Sequence, residues 1–237
     1  MADDLLLHMK DIRIDGFSDE RWHEIIKGVD LTLRRGEIMG VVGGSGTGKS
    51  VLMRSIIGLQ HPDAGSIEVL GENMIDRDED EAKNIRRRWG ILFQNGALFS
   101  TLTVAENVQV PLREFYKYID EDLLCEIATF KIVMSGLKAE DAPKYPSELS
   151  GGMRQRVGFA RALVVDPDVL LMDEPCSSLD PKGTAAVEEL IWELRGRYSI
   201  LIVTHNMAQA RRASEECIFM LMGKVIEHTR TRDLIAR

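Results

Sequence analysis

Cysteine is scarce in this 237-residue chain: Cys125, Cys176 and Cys217 are odd in number and far apart. They offer neither a disulfide framework nor a metal-ligand spacing, which points to a reducing compartment. Long apolar runs are also missing. Stretches such as Ile200 to Val203 stop after a few positions, well short of the roughly 18 residues that a membrane span needs. The Met-Ala-Asp-Asp start lacks the basic and apolar regions of a secretory leader, so a cytosolic location is expected. Excess positive charge is absent as well: 30 basic against 38 acidic residues leave −8, which disfavours an electrostatic nucleic-acid binder. Proline is limited to 7 residues and apolar residues reach 44%, so the chain can bury a substantial core and is not disordered. Repeats and low-complexity tracts are lacking.

What is present is Gly43-Gly44-Ser45-Gly46-Thr47-Gly48-Lys49-Ser50, followed by Val51. It fits the phosphate-binding pattern G-x-x-x-x-G-K-[ST], and the flanks suit it: Glu37 to Val42 reads as a buried strand, and Ser50 to Gly58 as a helix. Glycines let the backbone curl around a polyphosphate, so that successive N–H groups and the helix N-terminus face the anion. Lys49 would meet the β- and γ-phosphates, and the Ser50 hydroxyl would ligate Mg²⁺. A glycine-rich turn without ligand would explain the glycines but not Lys-Ser at this offset.

Residues 5–14 and 25–33 alternate in polarity and predict antiparallel strands, joined by a loop holding Phe17 and Trp22, either of which could stack on a base. Ser66 to Leu70 reads as a further strand. The acidic run Asp76 to Glu81 ahead of Arg86 to Arg88 suits a solvated helix with its charges ordered to match the dipole. Gly90 to Gln94 reads as a strand ending in a polar residue, followed by an unusually apolar loop to Thr103. From Val104 to Gly136 the period is helical, with breaks expected at Pro111 and near Asp120. Ser150-Gly151-Gly152 opens another helix and repeats the logic of exposed N–H groups and a hydroxyl; it reads equally as a plain cap. A hydrophobic strand ends in Asp173-Glu174, two acids suited to holding Mg²⁺ and polarising a water. Asp180 and Pro181 start a helix, and Ser199 to Val203 is a strand ending in Thr204-His205.

Taken in order, Gly43 to Ser50, Gln94, Ser150-Gly151-Gly152, Asp173-Glu174, Asp180 and His205 resemble the motifs of the nucleotide-binding cassette of ABC ATPases over nearly the whole chain. The resemblance implies an α/β P-loop NTPase with a RecA-like core, an N-terminal antiparallel β-subdomain and an inserted helical subdomain at about 101–163, all in one domain over residues 1–237. It implies a head-to-tail homodimer in which ATP lies between the Gly43–Ser50 loop of one copy and the Ser150-Gly151-Gly152 turn of the other. Glu174 is then the general base, His205 a γ-phosphate contact, and Ser50, Gln94 and Asp173 organise Mg²⁺ and water. Phe17 becomes the adenine contact, with Trp22 the other choice, and Asp180 speaks across the dimer. Met153 stands where the common family form has Gln, and Cys176 where Thr is usual.

Two segments bear on subtype. Leu92 to Phe99 and Tyr145 to Met153 are similar to the ATPases of Mla/Mce-type phospholipid transporters, whereas Ile202 to Ala210 is similar to those of phosphate importers. The first pair weighs more, because in the family the loop after Gln94 docks the membrane subunit. The implied partners are an integral membrane permease at Gln94 to Leu102, with Ala97, Leu98 and Phe99 exposed, and a lipid-binding Mce-type subunit. The implied location is the cytoplasmic face of the inner membrane. A soluble family member of DNA repair or translation is disfavoured by the lack of a coiled-coil insertion or a second cassette.

Overall fold

The computed structural model describes residues 4–18, 21–75, 79–177 and 179–234. These form two compact units, Met1–Arg86 with Arg195–Arg237, and Arg87–Leu194.

The first unit opens on a long hairpin, β1 (Leu5–Ser18) and β2 (Arg21–Arg34). Its alternation puts Leu7, Met9, Ile12 and Ile14 with Ile26, Val29, Leu31 and Leu33 on a buried face. β4 (Ala64–Val69) pairs with β1, and β5 (Glu72–Asn73) with β4, all antiparallel. The strands outrun the sequence expectation. Phe17 and Trp22 are not loop residues but a cross-strand pair at the hairpin end, with ring centroids 5.6 Å apart. Tilted aromatic contact across paired strands is itself stabilising, which accounts for pairing that continues to Ser18 and Arg21.

Beside this antiparallel sheet lies a parallel layer of the same unit. β3 (Ile38–Val42) is wholly buried, flanked by parallel β8 (Ser199–Thr204) and β9 (Glu216–Leu221), with antiparallel β10 (Lys224–Arg230) at the edge. A strand buried on both faces reads as a continuous apolar run, which is why Ile-Met-Gly-Val-Val was recognisable. Helix α1 (Lys49–Ile56) leaves the end of β3, α2 (Glu79–Arg86) closes the N-terminal segment, and α7 (Met207–Ala213) joins β8 to β9. A short helix α8 (Thr231–Leu234) follows β10. Of the acidic run, residues 76–78 lie outside the described residues.

In the second unit, β6 (Trp89–Leu92) and β7 (Val169–Asp173) pair in parallel. Between them come α3 (Val104–Phe115), α4 (Glu121–Met134) and α5 (Gly151–Leu163), and after β7 comes α6 (Pro181–Glu193). Val104, Val108, Leu112, Leu124, Ala128, Ile132, Val157 and Ala160 make one buried cluster among the three insert helices. Burying each larger side chain is worth about 1.5–3 kcal/mol. That outweighs the single ladder bond lost at Pro111, which lies inside α3 instead of breaking it. The break expected near Asp120 is present, where Asp120 caps α4.

Candidate functional site

The glycine-rich loop is held by its own lysine. Lys49 is only 6% exposed, and its Nζ donates to the carbonyls of Gly43 at 2.8 Å and Gly44 at 2.7 Å. Thr47 donates from Oγ1 to the Gly44 carbonyl at 2.9 Å. These bonds curl the backbone into a cradle, and two positions need glycine for it. A Cβ on Gly43 would lie 2.4 Å from the Met220 carbonyl oxygen, and Gly48 has φ +95° with Ile26 Cδ1 2.5 Å from where a Cβ would be. Gly48 also caps α1 without a side-chain bond, and a helix N-terminus that follows a glycine cradle is a place where an anion can meet backbone N–H groups. Gly44, Ser45, Gly46 and Ser50 are exposed, and Val51 is half-buried.

His205, exposed, follows β8 in the same unit. The turn that carries it is fixed on both sides. Thr204 Oγ1 donates to Gln209 Oε1 at 2.8 Å, and Asn206 Oδ1 accepts from the Gln209 N–H at 3.0 Å, capping α7. Phe17 and Trp22, 63% and 70% exposed, present aromatic surface at the tip of the β1–β2 hairpin.

The second unit holds the other candidates. Asp173 is the last residue of β7, and Glu174 follows with φ +50°, a left-handed conformation that a non-glycine residue keeps only when held. The holding group is Ser177, whose N–H and hydroxyl both donate to the Glu174 carbonyl at 3.1 Å. Ser150 caps α5, its Oγ accepting from the Met153 N–H at 3.2 Å, with half-buried Gly151 and Gly152 in the first turn. Asp180 caps α6 by accepting from the Gly183 N–H at 2.6 Å.

Gln94, exposed, begins a tight turn (94–97) in which Asn95, Gly96 and Ala97 take φ of +57°, +74° and +42°. Of the three apolar residues expected at the surface beyond it, Ala97 is exposed and Phe99 is 53% exposed. Leu98 is instead half-buried, packed on the helical cluster. Two residues that carry this loop had no visible signal in the sequence. Asn107, fully buried, donates from Nδ2 to the carbonyls of Phe99, Leu102 and Thr103 at 3.1, 3.0 and 2.9 Å. Its Oδ1 accepts from the Phe99 N–H at 2.8 Å. Arg161, on α5, donates to the carbonyls of Ala97 at 3.0 Å and Gly96 at 2.5 Å.

The residue types expected at magnesium, Ser50 in the first unit and Gln94 and Asp173 in the second, are chemically apt for it. A serine hydroxyl, an amide and a carboxylate are hard oxygen ligands, and an ion that takes phosphate oxygens and keeps several waters needs few protein groups. Clusters of three or more His, Cys, Asp or Glu are absent among the described residues.

Residues 26–177 match the family described as ABC transporter. The chain belongs to that family. The probable ribonucleotide transport ATP-binding protein mkl of Mycobacterium tuberculosis is 45% identical over 185 residues, 77% of this chain and 51% of the relative. The methionine import ATP-binding protein MetN of Lacticaseibacillus paracasei is 37% identical over 230 residues, 96% of this chain and 64% of the relative. This chain thus spans about half the length of the mycobacterial relative it matches. Among solved structures, the dimeric post-hydrolysis ATP-binding cassette MJ0796 bound to ADP and Pi superposes with a TM-score of 0.88 at 31% identity, over 96% of this chain and 99% of that one. CbiO1 of Clostridium perfringens, part of the transporter complex cbiONQ, gives 0.84 at 27%, over 99% and 92%. The fold is that of an ABC cassette, an α/β P-loop NTPase with an antiparallel β-subdomain and a helical insert.

Proposed function

We propose that this ABC transporter chain is the ATP-hydrolysing motor subunit of a transporter, two copies closing on ATP to drive a separate membrane permease. The observation that carries the reading is the Lys49 cradle: a buried ammonium gathers the Gly43 and Gly44 carbonyls and curls the glycine loop at the start of α1, where a polyphosphate would lie. In this reading Gly43 to Val51 bind the phosphates and Phe17 stacks on the adenine. Ser50, Gln94 and Asp173 would hold Mg²⁺, which neutralises phosphate charge when bound. Glu174 takes the proton of the attacking water, a contribution of about 10²–10⁴ in rate, and His205 donates to the γ-phosphate. Ser150, Gly151 and Gly152 complete the partner copy's site, so that closure itself is the switch.

The cargo proposed is phospholipid, with a Mce-type lipid-binding subunit beside the permease and the motor seated on the cytoplasmic face of the inner membrane. Support comes from the Leu92–Phe99 and Tyr145–Met153 segments. A second reading, import of a small solute, is favoured by the Ile202–Ala210 segment and by MetN, which aligns with 96% of the chain. None of the described helices is long and apolar enough to cross a membrane.

Purification from the native membrane in mild detergent, with mass spectrometry of copurifying proteins and lipids, separates the two. A permease with a lipid-binding subunit and bound phospholipid upholds the lipid reading. A permease with a soluble solute-binding protein and no enriched lipid replaces it with solute import. The motor itself is tested by turnover of Mg-ATP: Lys49→Ala and chelation of magnesium should each abolish it, and a chain inert with Mg-ATP would overturn the assignment.

A further inference from the structure

Arg161 is buried to 8% exposure on the third turn of α5. Burial pulls its pKa below the ordinary value, and no acidic side chain offsets this among the described residues. A guanidinium placed so is costly unless its donors are used, and here its two terminal nitrogens each take one carbonyl, those of Gly96 and Ala97. Those carbonyls belong to the turn after Gln94, whose three left-handed residues include two with side chains, Asn95 and Ala97. Such a backbone persists only where its surroundings over-determine it.

The surroundings are the backbone of α5. A Cβ on Gly96 would lie 2.6 Å from the Arg154 carbonyl oxygen, and one on Gly158 would lie 2.9 Å from Gly96 Cα. The turn therefore rests on the helix with no side chain between them, and Arg161 fixes its orientation there. The same helix begins at Ser150. We infer that Arg161 is a positioning residue: its guanidinium clamps the strained turn onto α5, so that Gln94 and the Ser150 turn are placed as one piece. This deepens the ATPase reading and rests on it for the roles of Gln94 and Ser150. Arg161 spends its terminal donors on the carbonyls of Gly96 and Ala97, so it acts through the turn that carries Gln94.

The test uses the full purified chain with Arg161→Lys, Arg161→Met, Gln94→Ala and the Arg161→Lys/Gln94→Ala pair. Without nucleotide, amide hydrogen exchange in the 93–98 segment, where the Gly96 N–H donates to the Phe93 carbonyl at 3.0 Å, should quicken at least about 10-fold in Arg161→Lys. The 104–115 segment should not change. With Mg-ATP, kcat should fall about 10–100-fold, the range typical when an outer group that orients a ligand is lost, while KM stays within about threefold. The paired variant should be no slower than Gln94→Ala alone, because Arg161 works only through that residue.

Unchanged exchange, a loss confined to KM, or losses that multiply in the paired variant would each overturn the inference. So would failure of both Arg161 variants to fold while Gln94→Ala folds, since the guanidinium would then be a determinant of the fold. A wild-type chain inert with Mg-ATP overturns the ATPase reading instead, and the exchange experiment alone then decides whether the clamp exists.

Discussion

Replacing Asn107 with aspartate changes one atom group and little volume, yet the structure makes it severe. The amide nitrogen of Asn107 faces three carbonyl oxygens at 2.9–3.1 Å, and only its oxygen faces a donor. A carboxylate there would set a charge against those carbonyls in a site with no water access, so the aspartate folds as its neutral acid. Its folded pKa is raised far above the unfolded value of about 3.9, and each intervening pH unit costs about 1.36 kcal/mol. At pH 7 the cost is about 4 kcal/mol, and at pH 5 about 1.5 kcal/mol. The sign follows from the raised pKa: the variant matches the wild type best below the unfolded pKa and loses stability as pH rises. A further loss of about 1 kcal/mol at every pH comes from trading two N–H donors for one O–H. Urea unfolding of Asn107→Asp and wild type at pH 5 and pH 7 reads the difference, with Asn107→Leu as the control that should show no such slope. A destabilisation equal at both pH values would refute the reasoning.

Other variants probe the remaining sites. Ser150→Ala removes the α5 cap and should cost about 1 kcal/mol in urea unfolding, but ATP turnover should fall more than about 10-fold, beyond what a lost cap explains; a variant with normal turnover would make Ser150 a cap only. Glu37 is held above its ordinary 4.5, chiefly by burial and further by Glu216, against the Arg34 N–H it accepts at 2.7 Å. Glu37→Gln keeps that acceptor without the charge, so its thermal stability should equal the wild type near pH 4 and exceed it increasingly as pH rises; a constant offset across pH would contradict the burial argument. Gly90→Ala puts a Cβ 2.2 Å from the Ala162 carbonyl oxygen, an overpacking that should cost about 1–3 kcal/mol by chemical unfolding.

The parts of the molecule legible in the sequence are those whose signal is local. β3 and β7 are short apolar runs, the cradle is a spacing of glycines and a lysine, and Ser150 and Asp180 stand immediately before the helices they cap, as Asp120 stands at the expected break. Pro111 misleads because a local rule, that proline breaks a helix, loses to burial of Val108 and Leu112 on either side of it. The reach of the β1–β2 hairpin was hidden because Phe17 and Trp22 stabilise each other across strands, not along one. Leu98 reads as exposed in a loop until α3 and α5 are placed beside it. Asn107 and Arg161 are the deeper case. Each is a polar residue on a helix, and its partners are backbone carbonyls, up to 65 positions away for Arg161. No residue type announces a carbonyl acceptor, so such clamps emerge only from the folded chain.

The most direct test of the motor assignment is Glu174→Gln, assayed by size-exclusion chromatography with light scattering and by phosphate release. The variant should bind ATP and remain as a closed dimer with magnesium and ATP, with turnover reduced about 10²–10⁴-fold. A Glu174→Gln chain that hydrolyses ATP at the wild-type rate, or that stays monomeric with ATP bound, would contradict the account.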